Sequence, residues 1–355
     1  MELTVPLPDL LHLLASAPDP GGDGTRPKDA ADWLALGSRL GLEGLVPALA
    51  DAGLLIAPLP IRAQADVLRA AADMEQSWIG ACTWEALAAL KDAGLAAAPL
   101  KGPLLAARLY PSPLVRRSTD IDLLVTPHDL PPALAVLAKL DYRLTDAHLT
   151  AHHIRHHHHV ILHRPASPPL ELHWAPLHAL GTRIHAADVL VAGALDPHAE
   201  LVYLAAHAAS HDFERPLWLY DLAAHVRAHP EIQRARLDAL AKSWRLSRAW
   251  RLAQQQVVAL LGSDALPWPP PRVLPHDALV AKGQRKYMQL PVKTPARFAV
   301  RVACLLASCD NPWRAGWLAQ FAALRAIGDL AERRGLPVPA SWPPFPPFPS
   351  KWGSR

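Results

Sequence analysis

The fold of this chain is decided by the stretch Arg116-Arg117-Ser118-Thr119-Asp120-Ile121-Asp122-Leu123-Leu124-Val125. Its apolar second half predicts a short buried strand. Because side chains on a strand alternate between two faces, Asp120 and Asp122 are expected to project side by side. Neighbouring carboxylates raise each other's pKa unless a cation compensates them, and a divalent ion with oxygen ligands is the simplest such cation. The stretch therefore predicts a Mg²⁺ site.

A phosphate-binding turn is predicted upstream, in the run Ala98-Pro99-Leu100-Lys101-Gly102-Pro103. The run indicates a strand that passes into a helix over residues 104–109. A glycine at such a turn lets the backbone approach a phosphate, and the helix N-terminus offers free N–H groups. Lys101 would add a positive charge at the same place.

A third carboxylate lies in the run Pro169-Leu170-Glu171-Leu172-His173-Trp174. Its alternation places Glu171 and His173 on one face of a strand and the apolar residues on the other. The apolar stretch 160–163 precedes this run too closely for a helical crossover, so the two strands are expected to pair antiparallel.

In combination, these pieces resemble the DNA polymerase β nucleotidyltransferase superfamily, which has a glycine turn, a D-x-D strand and a third acid on a later strand. More narrowly, the chain is similar to a bacterial nucleotidyltransferase family that keeps Lys-Gly where relatives have Gly-Gly or Gly-Ser. The similarity spans about residues 35 to 260, through L-K-G, R-R-S-T-D-I-D-L-L-V, L-E-L-H-W, a helical H-x-x-x-H and L-W-L-Y-D-L-A.

The resemblance implies Mg²⁺-dependent transfer of a nucleotidyl group from a nucleoside triphosphate to a hydroxyl-type acceptor, with release of pyrophosphate. Two Mg²⁺ ions, or Mn²⁺ in their place, would be held by the catalytic residues Asp120, Asp122 and Glu171. The triphosphate would contact Lys101, Gly102, Arg116, Arg117 and Ser118. A peptide or small molecule is the favoured acceptor, and nucleic acid is less favoured. The missing Gly-Ser serine leaves the identity of the nucleotide open.

A second reading comes from His207 and His211, which lie one helical turn apart on one face. With the adjacent Asp212 and with Asp221, they loosely resemble the HD phosphohydrolase pattern. That alternative leaves no role for the D-x-D strand or Glu171. Otherwise these groups border the cleft, and the candidate substrate contacts are His173, His207, His211 and Asp221.

A third reading is a catalytically silent module in which the basic region 264–355 recognises a peptide or nucleic acid. This region carries 13 Lys and Arg against 5 Asp and Glu. A solvated helical surface is the favoured explanation of that charge, and no aromatic-interleaved basic stripe is evident. A histidine run, formed by His152, His153 and residues 156–159, predicts a polar loop or helix, with adventitious transition-metal binding as the alternative.

The composition of the chain excludes several classes of protein. Half of the residues are hydrophobic, which excludes disorder throughout, and charged residues interrupt every apolar run before it is long enough to cross a membrane. Three cysteines without a C-x-x-C pair, and no basic region before the first apolar stretch, favour a reduced, cytoplasmic protein.

The predicted fold is α+β, with a small mixed β-sheet nucleotidyltransferase core flanked by N-terminal and C-terminal helical regions. Five regions are expected: helical 1–95, core 96–195, helical and cleft-closing 196–263, a basic helical appendage 264–335 and a Pro-rich tail 336–355. Helices are predicted over 29–50, 60–94 (one or two), 103–109, 129–140, 199–210, 218–228, 232–244 and 247–261, with one or two more between 295 and 334. The chain is expected to be helical after residue 186.

Overall fold

The computed structural model describes residues 29–34, 56–110, 116–144, 154, 157–180, 182–289 and 295–310. Outside these ranges lie most of the helix predicted over 29–50, the histidines at 152, 153 and 156, the part of the chain after 310 that was predicted to be helical, and the Pro-rich tail. Residues 30–34 are helical, in agreement with the start of the first predicted helix.

A five-stranded mixed sheet carries the D-x-D stretch on a central strand, as the α+β prediction requires. The strands are β1 (Ala97–Pro99), β2 (Ile121–Val125), β3 (Arg143–Leu144), β4 (His159–His163) and β5 (Leu170–His173), in the order β1-β2-β5-β4-β3. Strands β2 and β5 pair in parallel, whereas the other neighbours are antiparallel. The predicted antiparallel pairing of β4 with β5 is confirmed.

The two faces of β2 belong to different cores, and this division positions the acids. Ile121, Leu123 and Val125 pack toward helix α1 (Leu59–Asp92) and helix α3 (Leu130–Lys139). Leu124 points the other way and joins the core of the C-terminal helices. Because residues 120, 122 and 124 share a face, the two aspartates lie on the side of the sheet that those helices cover.

The predicted N-terminal helical segment 60–94 is one helix, α1. The apolar spacing of this segment predicts a buried face formed by Ala63, Val67, Ala71, Met74, Trp78, Cys82, Leu87 and Leu90. This prediction is correct at Cys82 and Leu90, which are buried, but wrong in the first half of the helix. Val67 and Met74 are 68% and 73% exposed there, and the buried positions are instead small or polar, at Ala65, Ala72 and Gln76. The second half of α1 packs on the sheet and fixes which stripe is buried.

The remaining helices are α2 (Gly102–Leu109), α4 (Pro197–Ser210), α5 (Pro216–Ala228), α6 (Arg234–Ser243), α7 (Ser247–Leu261), α8 (Pro275–Gln289) and α9 (Pro295–Ser308). All of these except α8 agree closely with the predicted ranges. Among the described residues, none of these helices is both long and apolar enough to cross a bilayer.

Two features of the C-terminal half differ from the prediction. The chain is not helical throughout after residue 186, because a short hairpin of β8 (Leu190–Val191) and β9 (Ala194–Leu195) precedes α4. An earlier hairpin pairs β6 (Leu177–Ala179) with β7 (Thr182–Ile184). Helix α8 lies within the predicted helical appendage 264–335, but no helix was predicted at these particular residues. The hairpin strands are only two or three residues long, too short for a periodic signal.

Candidate active site

The carboxylates of the site come from two parallel strands. Asp122 and Glu171 are paired residues in the register of β2 and β5, and Asp120 directly precedes β2 on the same face. Asp122, Glu171 and His173 each offer a ligand atom within 4.8 Å of the others. The structure therefore brings the predicted acids Asp122 and Glu171 together, whereas Asp120 lies near enough to feel their charges but is not part of this set.

Two basic side chains contact the buried Asp122, which is only 3% exposed. Lys101 Nζ lies 3.2 Å from its Oδ2, and His173 Nε2 lies 3.0 Å from its Oδ1. Burial opposes ionisation of Asp122, but Lys101 and His173 outweigh burial and hold its pKa well below the usual range. Asp122 is therefore a buried carboxylate in its charged form.

The other two acids differ in their ionisation. Burial and the nearby charge of Asp122 raise the pKa of Asp120. A hydrogen bond from His173, whose Nε2 lies 3.3 Å from Glu171 Oε2, lowers the pKa of Glu171. In turn, burial would lower the pKa of His173, but its hydrogen bonds to Asp122 and Glu171 raise it. Lys101 and His173 therefore do not fully compensate the negative charge around Asp120.

The turn that was predicted to bind phosphate lies beside these acids. Gly102 begins α2 with a φ of +79°, a conformation that side chains rarely allow, and no described side chain caps the first turn of α2. Ser118 Oγ is 3.9 Å from the place where a Cβ of residue 102 would lie. Gln76 holds Ser118 from α1 by donating to its carbonyl (2.9 Å) and accepting from its N–H (2.8 Å). Lys101, Gly102 and Ser118 therefore lie together.

The two predicted phosphate-binding arginines are placed differently. Arg116 is buried, and its Nε donates to Asp221 Oδ2 at 2.9 Å and to Oδ1 at 3.1 Å. The Tyr110 hydroxyl also donates to Asp221, at 2.5 Å. Arg117 pairs with Glu75 of α1 at the surface. Arg116 and Asp221, which the sequence assigned to the triphosphate and to the substrate, are thus bonded to each other.

His207 and His211 border the site from α4. His207 Nε2 is 3.5 Å from Lys101 Nζ, and the two imidazole rings are 4.8 Å apart by their centroids. The Trp218 ring of α5 lies 5.0 Å from His207 and 5.2 Å from His211. Burial and the charge of Lys101 hold the pKa of His207 well below its usual value, so this imidazole is neutral.

The ligand set that an HD phosphohydrolase needs is not formed by these groups. Within the described part of the chain, the clusters that could hold a metal ion do not include His207, His211 or Asp212, and Asp221 is bonded to Arg116 and Tyr110.

A protein-family model described as an uncharacterised nucleotidyltransferase matches residues 27–262. The chain belongs to this nucleotidyltransferase family. The match covers the sheet, the glycine turn and helices α1 to α7, so it includes every residue of the site described above. Comparisons with curated proteins and with solved structures gave no match.

Two residues of the candidate site, Gln76 and His159, were not predicted from the sequence. Gln76 gave no signal, because a lone polar residue in an apolar helical pattern resembles a surface position. His159 lay within the histidine run that was predicted to be a loop or helix, yet it begins β4 opposite His173, and its Nε2 is 3.8 Å from Glu171 Oε2. Burial and the charge of His173 lower the pKa of His159 to about 4. The strand was predicted over 160–163, and the alternation of His159, Ile161 and His163 could have extended it to His159.

Asp212 of this nucleotidyltransferase yields a prediction about stability. The side chain is buried, Arg301 Nε is 3.4 Å away, and burial raises its pKa to about 7. Since the folded protein then binds a proton more tightly than the unfolded chain, this group should destabilise the fold as the pH rises from about 4 through 7. We expect Asp212→Asn to raise the free energy of unfolding at pH 8 by roughly 1 kcal/mol or more, and to change it little at pH 4.

Urea denaturation of both proteins at several pH values measures this effect. A difference between the two proteins that is independent of pH, or that grows toward pH 4, would contradict the assignment.

Proposed function

We propose that this nucleotidyltransferase catalyses Mg²⁺-dependent transfer of a nucleotidyl group from a nucleoside triphosphate to a hydroxyl of a peptide or small molecule. The acceptor oxygen forms a bond to the α-phosphorus, the bond between the α-phosphorus and the bridging oxygen breaks, and pyrophosphate leaves. The hydroxyl proton passes to a carboxylate of the site or to solvent. Membership of the nucleotidyltransferase family supports the reaction class, and the metal and the acceptor are part of the proposal.

The observation that supports this proposal best is the pairing of Asp122 with Glu171 across parallel strands, with Asp120 beside them. Three carboxylates from two adjacent strand ends give oxygen ligands on one surface, at the side of a glycine turn. Such oxygen-rich sets suit hard divalent cations. Solvated acids at a strand end would not be buried as Asp122 is.

The donor set fits magnesium or manganese. Asp120, Asp122 and Glu171 would hold the ions, and when bound the ions would neutralise charge on the triphosphate and activate the attacking oxygen. The lowered pKa of Glu171 keeps it ionised, which suits ligation better than proton abstraction near neutral pH. The raised pKa of Asp120 agrees with a site whose negative charge is incompletely compensated.

The chain's own groups would bind the phosphates. The uncapped N–H groups at the start of α2 and the positive backbone φ of Gly102 form a surface that a phosphate can approach closely. Lys101 lies between this turn and Asp122, where its charge can stabilise a departing pyrophosphate. Lys101 takes the place of the serine hydroxyl that relatives carry.

The preference for a peptide or small-molecule acceptor has support in the helical side of the site. His207, His211 and Trp218 offer two imidazoles and an indole there, and burial lowers the pKa of both histidines. Neutral, aromatic groups suit a compact acceptor or a nucleobase better than the phosphate chain of a nucleic acid.

The proposal can be tested in two stages. Calorimetric titration with ATP, GTP, CTP and UTP, each with and without Mg²⁺, should show Mg²⁺-dependent binding of at least one of them. Mass spectrometry of hydroxyl-bearing peptides and small molecules incubated with that triphosphate should then show a nucleotidyl mass increment. Mg²⁺-independent binding, or hydrolysis of the nucleotide with no adduct on any acceptor, would contradict the proposal.

Lys101→Met is expected to lower the rate of transfer about 100-fold, because it removes the charge beside Asp122 at nearly constant side-chain length. The matched control is Lys91→Met, an exposed lysine in the last turn of α1, which should leave the rate unchanged. Rates are compared at saturating triphosphate. Equal rates for the two variants would exclude a role of Lys101 in the reaction.

A further inference from the structure

Three histidines converge at the edge of the carboxylate site. His158, His159 and His173 each offer one ring nitrogen within 4.8 Å of the others. Their ring centroids are 4.6 Å apart for residues 158 and 159, 4.9 Å for 159 and 173, and 5.5 Å for 158 and 173. Such a cluster of imidazoles is the donor set of many transition-metal sites.

The backbone of two adjacent strands holds this cluster in place. His159 and His173 are paired residues of antiparallel β4 and β5. The carbonyl of His158 accepts hydrogen bonds from the N–H groups of Trp174 (3.0 Å) and Ala175 (3.4 Å). The backbone pairing of this segment with β5 therefore holds the three rings together.

The two ring nitrogens of His173 differ in their hydrogen bonding. Its Nε2 lies within hydrogen-bond distance of Asp122 and Glu171, as described above, so this nitrogen carries a proton. Its Nδ1 is buried and has no hydrogen-bond partner among the residues that the structure describes. A buried ring nitrogen is normally satisfied, so an unmatched one on a side chain that is 3% exposed points to a ligand.

We infer that His158, His159 and His173 bind a borderline transition-metal ion of the Zn²⁺ class. Neutral imidazoles favour Zn²⁺, Co²⁺ and Ni²⁺ and bind Mg²⁺ poorly, so this site is chemically distinct from the proposed magnesium site. Three histidines leave a fourth position of a tetrahedral ion open to water or substrate.

Carboxylates next to the cluster would act as outer-shell partners. A ligating histidine usually donates its second ring N–H to a carboxylate, which fixes the tautomer and orients the ring. Asp122 and Glu171 occupy this position relative to His173. An ion at the histidines would thereby fix His173 as the donor to Asp122 and connect metal occupancy with the catalytic carboxylate.

Zn²⁺ titration against a chromophoric chelator tests the site without any nucleotide, so its result is independent of the proposed transferase activity. The wild-type protein should bind one Zn²⁺ tightly, and saturation with Mg²⁺ should not displace it. The double variant His158→Gln/His159→Gln should lose at least 100-fold in affinity. Glu171→Gln, an outer-shell change, should lose about tenfold.

Two controls address other histidines. The variant His152→Ala/His153→Ala/His156→Ala removes three histidines of the neighbouring run and should keep the Zn²⁺ affinity. His163→Ala removes an exposed histidine at the far end of β4 and should keep it too. Thermal unfolding of each metal-free variant checks that it is folded.

The visible absorption of the Co²⁺ form of the wild-type protein provides a test that needs no variant. The strong bands of a four- or five-coordinate ion are expected, and the weak bands of an octahedral ion would overturn the inference. It would also be overturned if affinity followed the 152, 153 and 156 histidines alone, or if Mg²⁺ displaced the Zn²⁺.

Discussion

Replacing Asp122 with asparagine is expected to lower kcat/KM for nucleotidyl transfer by at least about 1,000-fold, because the central charge of the acidic cluster is lost. Asp122 lies between Lys101 and His173, and both of these groups donate to it. The NH₂ group of an asparagine would therefore face one of these two donors. The variant thereby removes a proposed ion ligand and the counter-ion of the partly buried Lys101 ammonium. Transfer assays with the triphosphate identified by calorimetry measure the effect.

The same contacts predict that Asp122→Asn costs stability, since the partly buried Lys101 loses its counter-ion. Glu171→Gln separates catalysis from folding, because Glu171 is partly exposed and contacts no lysine in the described structure. It should lose activity comparably while unfolding near the wild-type temperature. Asp141→Asn is the matched control, because Asp141 is exposed and has a φ of +64°, which asparagine tolerates. Wild-type activity in either acidic-cluster variant would refute the site.

The local geometry of the site could be predicted because it depends on short periods. Alternation along a strand places Asp120 with Asp122 and Glu171 with His173, and a glycine between a strand and a helix marks the turn. These signals lie within a few residues of each other, so the sequence contains them completely. The mixed sheet follows from the same strands and from the short gap between β4 and β5.

Contacts between distant residues could not be predicted in this way. Lys101 was expected at the triphosphate, but its ammonium is bonded to Asp122 in a strand that begins twenty residues later. The pairing of Arg116 with Asp221 joins residues separated by 105 positions. Each charged group has many possible partners in the sequence, and the packing of α5 against α2 and α4 selects Asp221 as the partner of Arg116.

The buried face of α1 shows a second limit. Its first half contains both a stripe with Val67 and Met74 and a stripe with Ala65, Ala72 and Gln76, and apolar periodicity favours the first. The structure buries the second, because Gln76 finds a partner in the backbone of Ser118 and small residues allow close packing. Hydrophobicity alone cannot weigh a specific hydrogen bond against exposed apolar area.

The ion pair between Arg116 and Asp221 carries the second large prediction. Asp221→Asn should lower the free energy of unfolding by about 3 to 5 kcal/mol, because it leaves the buried Arg116 guanidinium without its counter-ion and weakens the bond from Tyr110. Urea denaturation measures the change. The matched control is Arg117→Met, which breaks the solvent-exposed pair with Glu75 and should cost no more than about 1 kcal/mol.

A double variant decides whether Arg116 acts in the fold or on the nucleotide. Arg116→Met/Asp221→Leu removes both buried charges together, so most of the stability should return relative to Asp221→Asn alone. If Arg116 only joins α5 to the strand that carries the acids, triphosphate affinity should return with stability. A double variant that is stably folded but binds the triphosphate at least tenfold more weakly would instead assign Arg116 to the phosphates. The structure favours the first outcome, because both carboxylate oxygens of Asp221 already contact its Nε.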